Sequence, residues 1–91
     1  MEFEMKLNSE PFEKIKNKEK TKEVRINDEK RRKIKVGDTI IFSKRPDLNE
    51  KIKVKVLSRK EYSKYSPLPK YYTQEEAKKY GVVVFDIELI K

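Results

Sequence analysis

The sequence predicts a mostly β domain of the α+β kind, a small closed or partly closed barrel carrying two short helices. Three observations lead to that expectation. Several segments alternate apolar and polar residues, the period-two signature of half-buried strands. Helix-start signals stand only near Ser9 and Thr73, and each is followed by a short stretch of helical spacing. Glycines and prolines punctuate the chain between these segments, where a chain of short strands must turn. Ninety-one residues make one domain, spanning 1–91, with room for a single modest core.

The elements follow in order. Phe3, Met5 and Leu7 alternate with charged residues as a first strand. Ser9 then offers an N-cap oxygen, Pro11 suits the first helical turn, and Phe12 and Ile15 share one helix face. This helix should stop near Asn17, a residue that tolerates the left-handed conformation of a C-cap. A strand over 21–27 comes next, with Val24 and Ile26 on its apolar side. Residues 28–33 form a polar connection that holds Arg31, Arg32 and Lys33, the densest basic cluster of the chain. Val36-Gly37-Asp38 reads as a tight turn into a buried strand, Thr39-Ile40-Ile41-Phe42-Ser43, because glycine permits positive φ. Pro46, Asp47 and Asn49 mark a hairpin loop, and Ile52, Val54 and Val56 alternate with lysines as its return strand.

Residues 60–72 are irregular, with Pro67, Pro69 and tyrosines at 62, 65, 71 and 72. Thr73-Gln74-Glu75-Glu76 is a capping-box pattern opening a second short helix, which Gly81 can close and on which Tyr80 should reach the core. The segment 82–90 is apolar enough to be a central strand.

The strand over 21–27 carries more functional information than the rest. Opposite Val24 and Ile26 stand Glu23, Arg25 and Asn27, expected on the exposed side. A carboxylate, a guanidinium and an amide two residues apart on a rigid element could read a planar, hydrogen-bonding ligand such as a nucleobase. A cross-strand salt bridge is the plainer alternative, contributing only about 0–1 kcal/mol if exposed.

Composition narrows the classes. The chain has no Cys and no His, which removes disulfides, zinc sites built on thiolate or imidazole, Cys nucleophiles and His bases. No metal or cofactor is expected. No apolar run approaches the length of a membrane helix and the N-terminus lacks a signal-peptide core, so a cytoplasmic location without membrane contact is expected. A net charge of +8 suggests a polyanionic partner, since each neutralised phosphate releases condensed counterions. A well-solvated lysine-rich surface has the same composition.

The residues resemble those of the ASCH domain family, a branch of the PUA-like barrels. That family typically reads Gly-x-Lys-Thr-x-Glu-x-Arg at its first helix–strand junction, followed by an Asn-Asp connection and a Val-Gly-Asp turn. Here the matching residues are Lys20-Thr21, Glu23, Arg25, Asn27-Asp28 and Val36-Gly37-Asp38, in that order. Tyr72-Thr73-x-x-Glu76 and Tyr80-Gly81-Val82 look like the family's closing helix and strand. The resemblance implies a PUA-like β-barrel with a cleft beside its first helix that binds RNA or a nucleobase-containing ligand. Lys18 stands where the family usually has Gly, which suggests a different helix exit. Some small members resemble amidohydrolases acting on acylated cytidine through a Lys, a Thr and a Glu; the position matching that Thr is Glu23 here.

The expected site therefore comprises Lys20, Thr21, Glu23 and Arg25 in the cleft, Arg31 and Arg32 on its rim, and Tyr72 as a stacking platform. Asn27 and Asp28 are expected to set a turn through side-chain-to-backbone bonds. The expected function is binding of RNA or a nucleotide-like ligand by a monomeric, non-enzymatic module. A small hydrolase acting on acylated cytidine or RNA, and an interaction domain for an acidic protein, are the two rivals.

Overall fold

The computed structural model describes residues 1–62 and 74–90. In chain order these form β1 (Glu2–Leu7), α1 (Ser9–Lys16), β2 (Lys22–Ile26), α2 (Glu29–Arg32), β3 (Thr39–Lys44), β4 (Lys51–Tyr62), α3 (Gln74–Tyr80) and β5 (Val82–Ile90). The strands make one sheet in the order β1-β3-β4-β5-β2, curled into a half-barrel. β1 runs parallel to β3, and every other pairing is antiparallel. β5 is an interior strand, as its apolar composition requires. Tyr65, Pro67, Pro69, Tyr71, Tyr72 and the Thr73 cap lie outside the described residues.

Phe12 and Ile15, three residues apart on α1, face the sheet and join Met5, Leu7, Ile40, Phe42, Val54, Val56, Val83, Phe85 and Ile87 in the main core. Ile34 completes it from the loop after α2. A smaller cluster of Ile26 and Val82, with Val24 and Tyr80 against it, fills the space between the outer face of the sheet and α3. Tyr80 is therefore only half-buried, in a satellite cluster rather than the main core.

Several local expectations are corrected. A third helix, α2, occupies what reads as a polar connection. It has no apolar stripe and is held by its cap: Asp28 Oδ1 accepts from the Arg31 N–H at 3.1 Å, and Oδ2 pairs with Arg31 Nη1 at 2.9 Å. The N-cap of α1 is Asn8, not Ser9, and makes no side-chain capping bond. β4 extends through Tyr62, so 60–62 are strand, with a register shift between Val56 and Ser58. In the Val36-Gly37-Asp38 turn, Gly37 has φ +94°, and Asp38 Oδ2 accepts from the Lys35 N–H at 2.8 Å.

The exit of α1 is instructive. Asn17 is not left-handed; Lys18 is, at φ +65°. The Lys18 N–H donates to Ile15 O and the Glu19 N–H to Lys14 O, the two bonds of a Schellman motif. The helix thus leaves by the left-handed route that glycine favours, with a lysine bearing the steric cost.

Two consequences are measurable. Lys18→Gly relieves that cost, and we expect it to raise stability by about 0.5–1 kcal/mol in chemical denaturation. Asp38, Glu50 and Asp86 have their carboxyls held below their ordinary values, chiefly by the Lys35 N–H, by Lys16 and by Lys22 respectively. A depressed folded value favours the folded state above the unfolded value and loses that contribution as pH falls through the folded value. Thermal stability should therefore be level from neutral pH to about 5 and decline below about 4.

Candidate nucleotide-binding site

The register of β2 against β5 sets the character of the site. Glu23 pairs with Phe85 and Arg25 with Val83, so both polar side chains share the barrel-facing side with core residues. Val24 and Ile26, paired with Val84 and Val82, face outward and are covered by α3. The side expected to be exposed is therefore the buried one: Glu23 is 3% exposed, Arg25 9% and Asn27 6%.

Burial of these charges is tolerated because each finds partners. Glu23 Oε2 accepts from Arg25 Nε at 3.0 Å and Nη2 at 2.8 Å, while Oε1 takes Lys20 Nζ at 3.0 Å. The pair lies along one strand rather than across two. Arg25 Nη2 also donates to Lys6 O at 3.1 Å, at the opposite edge of the sheet. Thr39 and Arg45 N–H groups take the carbonyls of Met1 and Leu7, so the carbonyls of Glu4 and Lys6 point to the free edge of β1. Lys30 Nζ takes the Glu4 carbonyl at 2.7 Å. Arg25 and Lys30 together close the half-barrel where, among the described residues, no strand pairing does.

The register shift in β4 extends the inward polar row. Val54 and Val56 face the core, and one residue is then inserted, so Arg59 and Glu61 take the inward side opposite Phe85 and Val83. The Arg59 guanidinium stands 5.7 Å from the Phe85 ring centroid. It donates to the carbonyls that end α2, those of Arg31, Arg32 and Ile34, and to Asn27 Oδ1 at 3.1 Å and Glu61 Oε1 at 2.9 Å. Asn27 Nδ2 donates to the same Glu61 oxygen at 2.8 Å. Asn27 thus fixes a carboxylate rather than a turn, whereas Asp28 does cap backbone.

Among the described residues, two depressions stand out on the surface. The wider, about 960 Å³, lies between the exit of α1, the middle of β4 and the end of β5; Lys18, Lys20, Thr21 and Lys55 line it with Asp86 and Glu88, over Leu57, Leu89 and Ile90. The second, about 520 Å³, is lined by Asn27, Arg32, Glu61, Tyr62, Lys78, Tyr80 and Gly81. The expected site residues are thereby divided. Lys20 and Thr21 border the first depression, Arg32 the second, and Glu23 and Arg25 line neither. Arg31 is spent on Asp28, and Tyr72 lies outside the described residues.

Arg59, Glu61 and Lys78 escape the sequence reading. For Arg59 and Glu61 the signal is the break in apolar alternation after Val56; Lys78 has none, being one of several charged residues on α3. Gly81 is needed at the second depression for a packing reason. Its φ is +75°, and a Cβ there would lie 2.9 Å from the Tyr62 carbonyl oxygen. That close approach brings the end of β4 against the exit of α3, with Tyr62 and Tyr80 on one rim.

Truncating one member of the buried pair leaves the other charge undercompensated. We expect Arg25→Ala to destabilise the fold by about 3 kcal/mol in denaturant titration, against a total of about 5–15 kcal/mol for a domain. Arg25→Lys should recover only part of this, since an ammonium cannot span Glu23 and Lys6 O as a planar fork does.

The sequence matches the ASCH domain family over residues 5–91. The crystal structure of hypothetical protein PH0355 is similar, with a TM-score of 0.83 and 38% identity over 99% of this chain and 100% of that one. The solution NMR structure of protein PF0455 from Pyrococcus furiosus is also similar, with a TM-score of 0.67 and 33% identity over 100% of this chain and 99% of that one. No curated protein matches. Among the described residues no helix is long and apolar enough to cross a membrane. With the motif order, the half-barrel and the family match in agreement, this chain belongs to the ASCH domain family, whose fold is PUA-like.

Proposed function

We propose that this chain binds RNA or a nucleotide-like ligand, and that the depression of about 520 Å³ is where the base sits. One observation carries the reading: two tyrosines, two cations and a hydrogen-bonded amide–carboxylate pair converge on a single concave surface of ligand size. Aromatic rings stack on any base, contributing about 1–3 kcal/mol per stacked base. Tyr62, 39% exposed at the end of β4, is placed to do this. Arg32 is exposed and held in position by its bond to Asn27 O at 2.9 Å, and Lys78 is exposed on α3; both suit phosphate contacts.

The lysines of the wider depression suit the phosphates of a longer strand. Lys20 is held by Glu23, and the long, flexible stem of Lys55 would add affinity without discrimination. Glu23 and Arg25 support the site from below, because Arg25 closes the barrel on which both depressions are built.

A titration of labelled single-stranded RNA at two salt concentrations tests this reading. Tyr62→Ala should weaken binding by about 1–3 kcal/mol at both salts. Arg32→Ala should lower the salt slope by about one, whereas Arg31→Ala should lower it less, its charge being already paired with Asp28. Binding indifferent to Tyr62 and Arg32 but lost in Lys20→Ala and Lys55→Ala would move the site to the wider depression.

A further inference from the structure

We infer that the smaller depression is selective for guanine, with Glu61 as the residue that reads the base. This rests on the proposed function and adds the ligand's identity to it.

The geometry concerns one carboxylate. Glu61 Oε1 is fixed by two donors, Asn27 Nδ2 at 2.8 Å and Arg59 Nη2 at 2.9 Å. Asn27 is itself buried and Arg59 is anchored to the end of α2, so the carboxylate is held on a rigid support. Oε2 has no partner among the described residues. The side chain is 60% exposed, on the wall of the depression that Tyr62 and Tyr80 also line. The carboxylate is thus an oriented acceptor with unused capacity in a site otherwise furnished for a planar ligand.

A carboxylate only accepts, so it selects an edge that offers donors. Guanine alone among the four bases offers two adjacent N–H donors, N1–H and the N2 amino group, with no acceptor between them. Adenine and cytosine place an acceptor ring nitrogen beside their amino group. Uracil has one N–H flanked by two carbonyls. Each of these three would set a lone pair against Glu61. Guanine also carries O6 on the far side of N1, and O6 needs a donor. Arg32 lines the same depression and commits Nε to Asn27 O and Nη2 to Tyr80 O, which leaves Nη1 for O6.

The test is an equilibrium titration of the full chain with 5′-GMP, 5′-AMP, 5′-CMP, 5′-UMP and 5′-IMP, followed by amide chemical shifts. We expect 5′-GMP to bind about tenfold or more tighter than the adenine, cytosine and uracil nucleotides, with N1–H and the N2 amino group both donating to the two free lone pairs of Oε2. Inosine lacks the N2 amino group, so 5′-IMP should lose most of that advantage. Glu61→Gln keeps the shape and one acceptor oxygen but turns an amide donor toward the ligand; it should bring 5′-GMP down to the level of the others, with an unchanged far-UV spectrum confirming the fold. Equal binding of all five nucleotides, no binding of any, or a preference that survives Glu61→Gln would each overturn the inference. If RNA binding still depends on Tyr62 and Arg32 in that case, the proposed function stands and only base identity fails; if that dependence is absent too, both fail. Comparing 5′-GMP with an oligoadenylate carrying a single guanosine separates the sources: tighter oligonucleotide binding points to RNA, tighter 5′-GMP binding to a free nucleotide, and either ranking supports guanine selectivity.

Discussion

The half-barrel depends on the Arg25 guanidinium. A five-stranded sheet must leave two edges, and here β1 and β2 end as those edges. Exposed edges invite pairing with other chains, and barrels usually solve this by closing the ladder. This chain closes it with a side chain. Arg25 is held from one direction by Glu23 and reaches the carbonyl of Lys6 in the other. Lys30 repeats the contact at Glu4. A buried ion pair contributes little net stability compared with well-packed apolar residues, because desolvation offsets the attraction. Its value here is geometric: a planar fork with several donors can satisfy a carboxylate and a backbone carbonyl at once, which an apolar side chain cannot.

The same logic runs through the polar end of the barrel. Buried Asn27 and half-buried Arg59 form a second set next to the first, bonded to the exposed Glu61, and Arg59 ties it to the last carbonyls of α2. One network therefore fixes the position of the short helix and presents a carboxylate to the surface. α2 has no buried residue of its own, so capping by Asp28 and anchoring by Arg59 replace packing as its source of order. The proposed ligand site is thus the exposed margin of a structural network. Such margins are rigid, because the groups behind them are already bonded, and they suit a reader of base edges better than a loop would.

Much of the fold is legible in the sequence. Alternation marks β1, β2 and the first half of β4, the turn at Gly37 and the apolar run after it mark β3, the continuous apolar run marks β5 as interior, and Gly37 and Gly81 mark turns that require positive φ. The motif from Lys20 to Asp28 marks both the family and the region of interest. The site is less legible. Lys20, Thr21 and Arg32, read from sequence as cleft and rim of one site, border two different depressions. Lys18 shows how local preference yields: a lysine holds a conformation that glycine favours because the Schellman bonds and the packing of α1 on the sheet outweigh about 1–2 kcal/mol of strain.

What the sequence by itself determined is where the strands are and that Glu23, Arg25 and Asn27 share one face, since side-chain alternation is a property of the extended backbone alone. Which face points inward was decided only by the tertiary structure. Both faces of β2 have a claim to burial: Val24 and Ile26 by hydrophobicity, Glu23 and Arg25 by their mutual charges. The competition is settled by α3, which covers the apolar face from outside, and by the free edge of β1, which offers Arg25 a carbonyl. The phase of β4 was likewise decided by one inserted residue between Val56 and Ser58: alternation breaks off there, but the break alone does not say which side Arg59 and Glu61 then take. That shift turns Glu61 toward Asn27, from the far end of the chain's other half, and so makes a site of residues 34 positions apart.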